Sequence, residues 1–362
     1  MQKKVVKLGV VGLYRGRYVV ADALNDDNMV LKAICDKRKD RLESAEKFFK
    51  EEKKVQDLLC FEDYEELLKS DIDAVFVATD APFHTKQVIQ ALEAGKHVLS
   101  EIPVIYSIEE AQMLKDAVKA HPELKYMAAE NCCYWAFIQA WKQMHEDGKF
   151  GDIVYAEGEY LHGRIMVDGK QEDYPDTYWR THLHAIKYLT HELGPLLYIM
   201  NDRCVSVTCM EPDIKYNPYK KGAENGVALF KTAKGAVIRI FIGFGAYVNC
   251  DHNYSLYGTK GTIETDRTKP LETAHSFARL SEVPGTFEEK IDIPVTLKFQ
   301  GEGGGGHGGA DGKMMHAFIK CIIDDTEPPI NVDMGIQMSL PGILAHESAV
   351  QGGMPIEIPE IL

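Results

Sequence analysis

Residues 5–11 (VVKLGVV) form a short apolar run that stops at Gly12-Leu13-Tyr14-Arg15-Gly16 and continues into a helix-forming stretch, RYVVADALND. A second apolar run over 29–35 ends in Asp36, 24 residues after Gly12. Strand, glycine turn, helix and then a carboxylate about 20 positions on is the pattern of a dinucleotide site. A pyrophosphate rests on the N–H groups that open the helix, and the carboxylate accepts the ribose hydroxyls. The alternation then repeats: a helix over 37–54, strand 73–79, helix 84–94, strand 97–99, helix 108–119 and strand 126–129. Short apolar strands separated by amphipathic helices predict a parallel sheet covered on both faces, with ligands bound beyond the carboxyl ends of its strands. That rim carries Gly12, Leu13, Tyr14, Arg15, Asp36, Thr79, His84, Glu101, Pro103 and Asn131, the expected cofactor contacts.

The fingerprint departs from G-x-G-x-x-G. Counted from Gly12, Tyr14 stands at the second glycine and Arg17 at the third. The middle glycine ordinarily lets the backbone approach the pyrophosphate, so Tyr14 predicts a shifted phosphate held by Arg15 or Arg17. A negative Asp36 disfavours a 2′-phosphate and favours NAD over NADP, although Lys37 and Arg38 adjoin it.

After a helix over 135–147 and the turn Gly148-Lys149-Phe150-Gly151, the period changes to two. Residues 152–164 alternate, and further strands are predicted at 205–209, 226–231, 236–244, 253–257 and 261–265. KTAKGAV and YGTKGTI read as hairpins. Consecutive strands without helices between them predict an open, mostly antiparallel sheet. One face packs on helices; the other is solvated or joins copies of the chain, which predicts a homo-oligomer, whether dimer, tetramer or higher. Helices over 311–324 and 338–351 and a short strand over 355–358 complete the chain. The expected organisation is an α/β Rossmann domain over 1–130 and an α+β domain over 131–362. The terminal helices are candidates to pack back on the first domain.

The chain carries 41 Lys plus Arg against 55 Asp plus Glu, a formal charge of −14, which excludes nucleic acid and an anionic membrane as main partners. Eight cysteines without a CxxC pair argue against a disulfide scaffold or a structural zinc site. The opening MQKKVVKLGVVGL is too short for a secretory h-region, and no stretch approaches a membrane span, so a cytoplasmic protein is expected.

KLGVVGL, FVAT with His84 five residues on, ALEAGKHVLSEIP, GKFGDIVYAEGEY, YWR, THELGP, GHGGAD and LAHESAVQGG span nearly the whole chain. Together they resemble the Gfo/Idh/MocA oxidoreductases, named for glucose–fructose oxidoreductase and inositol dehydrogenase. The resemblance implies a Rossmann domain, an open antiparallel sheet, a bound nicotinamide and a sugar, glycoside or cyclitol substrate. Two positions depart from the family pattern. Its Glu-Lys-Pro is Glu101-Ile102-Pro103 here, and its Asp-x-x-x-His is Lys187-x-x-x-His191.

Oxidising a carbinol needs a base for the hydroxyl proton and an electropositive group for the developing alkoxide. An imidazole exchanges protons near neutrality, which gives His191 the first role. Lys187, read as one helical turn away on the same face, takes the second in place of the missing lysine. Glu130, His162, Trp179, Arg180, His184 and His307 are the expected substrate contacts. Trp179 and Arg180 make either a sugar platform or a core pair. His307 and Asp311 are candidates to cap the pocket. A metal site from His162, Glu159, His182, His184 and His191 was weighed against the spacing of His182 and His184, which diverge on a helix, and none is expected. Three activities remain: dehydrogenation of a ring hydroxyl, with C3 of a glucoside a plausible carbon; redox-neutral glycoside cleavage by oxidation, elimination and re-reduction; or a non-catalytic nucleotide sensor.

Overall fold

The structure, a computed structural model, describes residues 5–163, 174–268, 276–293 and 309–361. It divides into two compact units: one drawn from 1–134, 299–336 and 361–362, the other from 135–298 and 337–360.

The first unit contains β1 (Val6–Val11), α1 (Gly16–Ala23), β2 (Met29–Cys35), α2 (Lys39–Lys47), β3 (Leu59–Phe61), α3 (Tyr64–Lys69), β4 (Ala74–Val77), α4 (His84–Glu93), β5 (His97–Ser100), α5 (Ile108–Ala120) and β6 (Tyr126–Ala128). Its six strands pair in parallel in the order β3-β2-β1-β4-β5-β6. The order reverses direction at β1 and β4, which opens a crevice at their carboxyl ends. β4 is buried at all four residues, as an apolar run covered on both faces must be. The strand β3 and the helix α3 were not anticipated: β3 pairs over only three residues at the sheet edge, and Leu59 is exposed. Where helices start, the capping is local. Asp63 accepts from the Glu66 N–H at 3.1 Å and Ser107 from the Glu110 N–H at 3.4 Å.

The second unit opens with α6 (Ala136–Glu146) and β7 (Ile153–Leu161), followed by α7 (Trp179–His182) and α8 (Thr190–Met200). The strands β8 (Cys204–Met210), β9 (Asn225–Thr232), β10 (Val237–Gly243), β11 (Asp251–Gly258), β12 (Gly261–Thr265), β13 (Ser276–Leu280) and β14 (Ile291–Ile293) come next. α9 (Ala310–Asp324), α10 (Val332–Val350) and β15 (Ile356–Glu357) end the chain. Nine strands pair in the order β14-β13-β12-β11-β7-β10-β9-β8-β15. All pairings are antiparallel except β7 with β10, so the sheet is mostly antiparallel as expected. The sequence alternation maps directly onto it: Ala228, Phe230, Ile238, Ile240 and Ile242 are buried, while Val227, Leu229 and Val237 point outward and are exposed. α8 lies close on the inner face, since a Cβ at Gly158 of β7 would come within 2.7 Å of Glu192 Cβ. Only a residue without a side chain fits there.

The expected division at residue 130 leaves room for the terminal helices to pack back on the first domain, and one of them groups with it. α9 belongs with the first unit, because Gly312 approaches the Asp22 carbonyl so closely that an added Cβ would sit 3.0 Å away. α10 begins in the first unit and continues in the second.

His145, in the last turn of α6, stacks on Phe150 with ring centroids 6.4 Å apart, and its buried Nδ1 has no hydrogen-bond partner among the described residues. Burial, then Lys234 and Lys142, hold it below the usual histidine range. A depressed native value means that the unfolded chain takes up a proton first as the pH falls. The stability from neutral His145 is whole above about pH 6.5 and is lost below it. Replacing it by glutamine should therefore lessen the drop in Tm between about pH 7 and pH 5 seen in the parent, measured by thermal unfolding across that range.

Candidate active site

The rim of the first unit is built by backbone contact. Gly12 has φ +90°, and a Cβ on it would lie 2.3 Å from the Ala78 carbonyl oxygen and 2.5 Å from the Thr79 nitrogen. The turn after β1 is thus pressed against the chain leaving β4, in a conformation and a space that only glycine meets. Gly16 packs in the same way on Val10, 2.8 Å from where its Cβ would be. Asp36, buried at the end of β2, accepts from the Leu13 N–H and from the Arg38 N–H, both at 2.9 Å. The strand that bears the carboxylate is thereby tied to the glycine turn. No side chain caps the start of α1.

Tyr14, at the second-glycine position, turns outward and is 66% exposed, with the Arg41 guanidinium 5.3 Å from its ring. Its side chain therefore leaves the turn clear. Arg15 is held by two carboxylates. It forms a two-pronged pair with Asp311, Nη1 to Oδ2 at 2.8 Å and Nη2 to Oδ1 at 2.7 Å, and its Nε donates to Glu101 at 3.2 Å. Arg17 turns to Ser44 and Tyr18. The Arg15 guanidinium is held by an internal ion network, because two carboxylates on α9 and after β5 converge on the turn. Asn131 joins the same network, its Nδ2 donating to Asp311 at 2.9 Å. His84 bridges the loops after β4 and β5, with Nδ1 2.9 Å from the Pro103 carbonyl and Nε2 2.9 Å from the Thr79 carbonyl. Thr79 Oγ1 donates to Gln87. Glu130 is buried and accepts from the Cys132 N–H at 3.1 Å. His307 lies outside the described residues.

In the second unit His191 occupies the first turn of α8 and is buried. Tyr254 Oη donates to its carbonyl at 2.6 Å. Tyr160 and Tyr188 meet its ring edge-on at 5.5 and 5.4 Å, and His252 lies 6.2 Å away. His252 is fixed in turn. It donates to the fully buried Glu192 at 2.5 Å, stacks on Tyr160 at 4.2 Å and takes the edge of Trp135 at 4.9 Å. Arg180 lies over the Trp179 ring at 4.6 Å and the Tyr188 ring at 4.8 Å, and donates to Tyr188 Oη at 3.4 Å. His162 contacts Tyr160 and Phe244. Tyr188, Glu192, Tyr160, Tyr254 and His252 were not singled out from the sequence, although Tyr188 and Glu192 stand inside KYLTHELGP.

The reading of Lys187 and His191 as one helical turn apart is corrected. Residues 185–188 form a separate 3-10 turn, Leu189 has φ −82° and ψ 1°, and α8 starts only at Thr190. Burial holds the Lys187 amine below the usual lysine range, with Glu211 and Glu347 pulling the other way. The histidines weighed as metal ligands separate too. Glu159 is paired by Arg239 and Arg267, each at 2.6 Å, and His182 faces the Asp176 carbonyl. His184 turns instead to Glu211 and His346.

Residues 6–129 match the profile described as an oxidoreductase family with an NAD-binding Rossmann fold, and 137–362 match the glycosyl hydrolase 109 C-terminal domain. A glycosyl hydrolase family 109 protein of Solibacter usitatus is 28% identical over 392 residues, covering 98% of this chain and 88% of the relative. An α-N-acetylgalactosaminidase of Bacteroides fragilis is 27% identical over 414 residues, covering 98% and 92%. Two solved structures share the fold. A levoglucosan dehydrogenase in complex with NADH has a TM-score of 0.83 at 20% identity, over 99% of this chain and 100% of that one. A scyllo-inositol dehydrogenase from Lactobacillus casei, with NAD(H) and scyllo-inositol bound, has a TM-score of 0.79 at 21% identity, over 98% and 99%. With the glycine turn, Asp36 and both domain types in place, the chain belongs to the Gfo/Idh/MocA family of NAD-dependent oxidoreductases.

Proposed function

We propose that the enzyme oxidises a secondary ring hydroxyl of a sugar, glycoside or cyclitol. The observation that carries this reading is the buried His191 imidazole, enclosed by aromatic rings and held at its backbone by Tyr254. The residues of the first unit fit NAD: the side-chain-free turn at Gly12, the uncapped start of α1 for the pyrophosphate and Asp36 for the ribose hydroxyls. Bound there, NAD supplies the hydride acceptor.

His191 takes the hydroxyl proton as the C–H bond breaks. Tyr160, Tyr188 and His252 restrict its ring and keep water from competing for that proton. Charge developing on the carbinol oxygen needs a donor. Tyr188, with the permanently charged Arg180 against its face and at its hydroxyl, suits that role, and Lys187 adds a second cation on the same turn. Trp179 offers a ring for sugar C–H groups. The exposed Val227, Leu229 and Val237 on the outer sheet face support a homo-oligomer.

A second reading is favoured by the glycosyl hydrolase 109 match and by the Bacteroides fragilis relative. A ketone on the ring acidifies the neighbouring C–H. Loss of that proton expels the aglycone, water adds to the resulting double bond, and reduction of the ketone restores the sugar with no net redox change.

Purified enzyme with excess NAD⁺ and a panel of glucosides, N-acetylgalactosaminides, free sugars and inositols tests both. NADH together with a keto-sugar is the expected result. Release of an aglycone without NADH would establish the second reading, and NAD binding with neither product would overturn both. Asp36→Ala should weaken NAD binding about 10- to 100-fold by titration calorimetry, the equivalent of one or two charge-assisted hydrogen bonds. His191→Ala should lower kcat by ~10²- to 10⁴-fold while leaving NAD affinity unchanged. Lys187→Met should slow turnover by ~10-fold or more. Unchanged turnover would leave the electropositive role to Arg180 and Tyr188.

A further inference from the structure

Outside this machinery, three side chains from three elements of the second unit converge on one point. His184 precedes the 3-10 turn of 185–188, Glu211 follows β8 directly, and His346 lies on α10. Their ligand atoms all lie within 4.8 Å of one another. Glu211 Oε2 is 2.8 Å from His184 Nδ1 and 3.2 Å from His346 Nδ1, and Oε1 is 3.3 Å from the latter. The two imidazoles are 3.8 Å apart at their centroids. Each element is secured by other contacts. The Cys209 N–H donates to Ser348 Oγ at 3.0 Å, which ties β8 to α10. A Cβ at Gly342 would come within 3.1 Å of the Ile186 carbonyl and 3.2 Å of Lys187 Cα, so α10 runs against the turn one helical turn before His346.

Hydrogen bonding alone does not satisfy both neighbours of His184 Nδ1. The Ala223 N–H points at His184 Nδ1 from 3.3 Å while a carboxylate faces the same nitrogen. That nitrogen cannot accept from the one and donate to the other at once. Tetrahedral zinc with ligands at about 2.1 Å separates them by about 3.4 Å, inside the range from 2.8 to 4.8 Å that bounds the spacings here. We propose that His184, Glu211 and His346 form a divalent transition-metal site, best suited to Zn²⁺, that pins the turn bearing Lys187 and Tyr188 to β8 and α10. Two imidazoles and one carboxylate leave a fourth position, and with His184 29% and His346 16% exposed a water can fill it. The site does not rest on the proposed reaction, in which neither Glu211 nor His346 takes part.

Untagged protein stripped with a chelator and dialysed should take up one Zn²⁺ per chain by titration calorimetry and elemental analysis. Co²⁺ should give the intense visible bands of a four-coordinate site, and Zn²⁺ should raise Tm. His346→Gln and, separately, Glu211→Gln should weaken binding by ~100-fold or more and abolish those bands. His182→Gln, which alters a neighbouring histidine turned to the Asp176 carbonyl, should bind like the parent. No stoichiometric uptake by the folded parent, or unchanged uptake in His346→Gln with a normal circular dichroism spectrum, would overturn the assignment.

Discussion

The pair between Arg15 and Asp311 organises the first unit. Asp311 is fully buried, and a carboxylate without solvent must be met by charge and hydrogen bonds or else be protonated. Here both oxygens are met by the Arg15 fork, and Asn131 adds a third donor. Because Arg15 also precedes α1, fixing its guanidinium fixes the glycine turn. Through the Leu13 N–H the same turn is fastened to Asp36. A residue near the end of the chain thus sets the geometry of a loop near its start. Removing one member of such a pair would leave an uncompensated buried charge, costing about 3–5 kcal/mol.

The second unit solves a similar problem around Glu192. It sits under Gly158, where no side chain intervenes, and its buried carboxylate receives His252. His252 then serves as a wall, stacking on Tyr160 beside His191. Charge is compensated one layer behind the candidate base, and the base itself is surrounded by rings.

Much of this was legible because buried parallel strands announce themselves locally. β1 and β2 are apolar runs punctuated by Gly12 and Asp36, and the alternation of β9 and β10 mirrors the burial of their two faces. β3 was not legible: three residues pairing at an edge carry no periodic signal. The partner of Arg15 was not legible for a different reason. It lies 296 residues away, and a basic residue beside a glycine turn reads as a phosphate ligand on its own. Lys187 and His191 show the limit of spacing arguments. Four residues apart suggests one helical face, but the break at Leu189 ends that register, and nothing in the composition of KYLTH marks it. The meeting of His184 with Glu211 and His346 depends on contacts between residues 27 and 135 positions apart, which no local pattern encodes.

The exchange of Glu-Lys-Pro for Glu101-Ile102-Pro103 can now be placed. Ile102 is buried, and Glu101 keeps a cation through Arg15 rather than through a neighbouring lysine. Losing the lysine therefore leaves Glu101 paired; what it removes is a positive charge. On the proposed reaction that charge must come from elsewhere, and burial makes Lys187 a weaker source than an arginine. Arginine stays charged in such surroundings, and Arg180 stacked on Tyr188 passes its polarisation to a phenol that stands edge-on to His191. On that proposal a hydroxyl polarised by a fixed guanidinium is the donor to the developing charge, the part that the family's lysine would have taken.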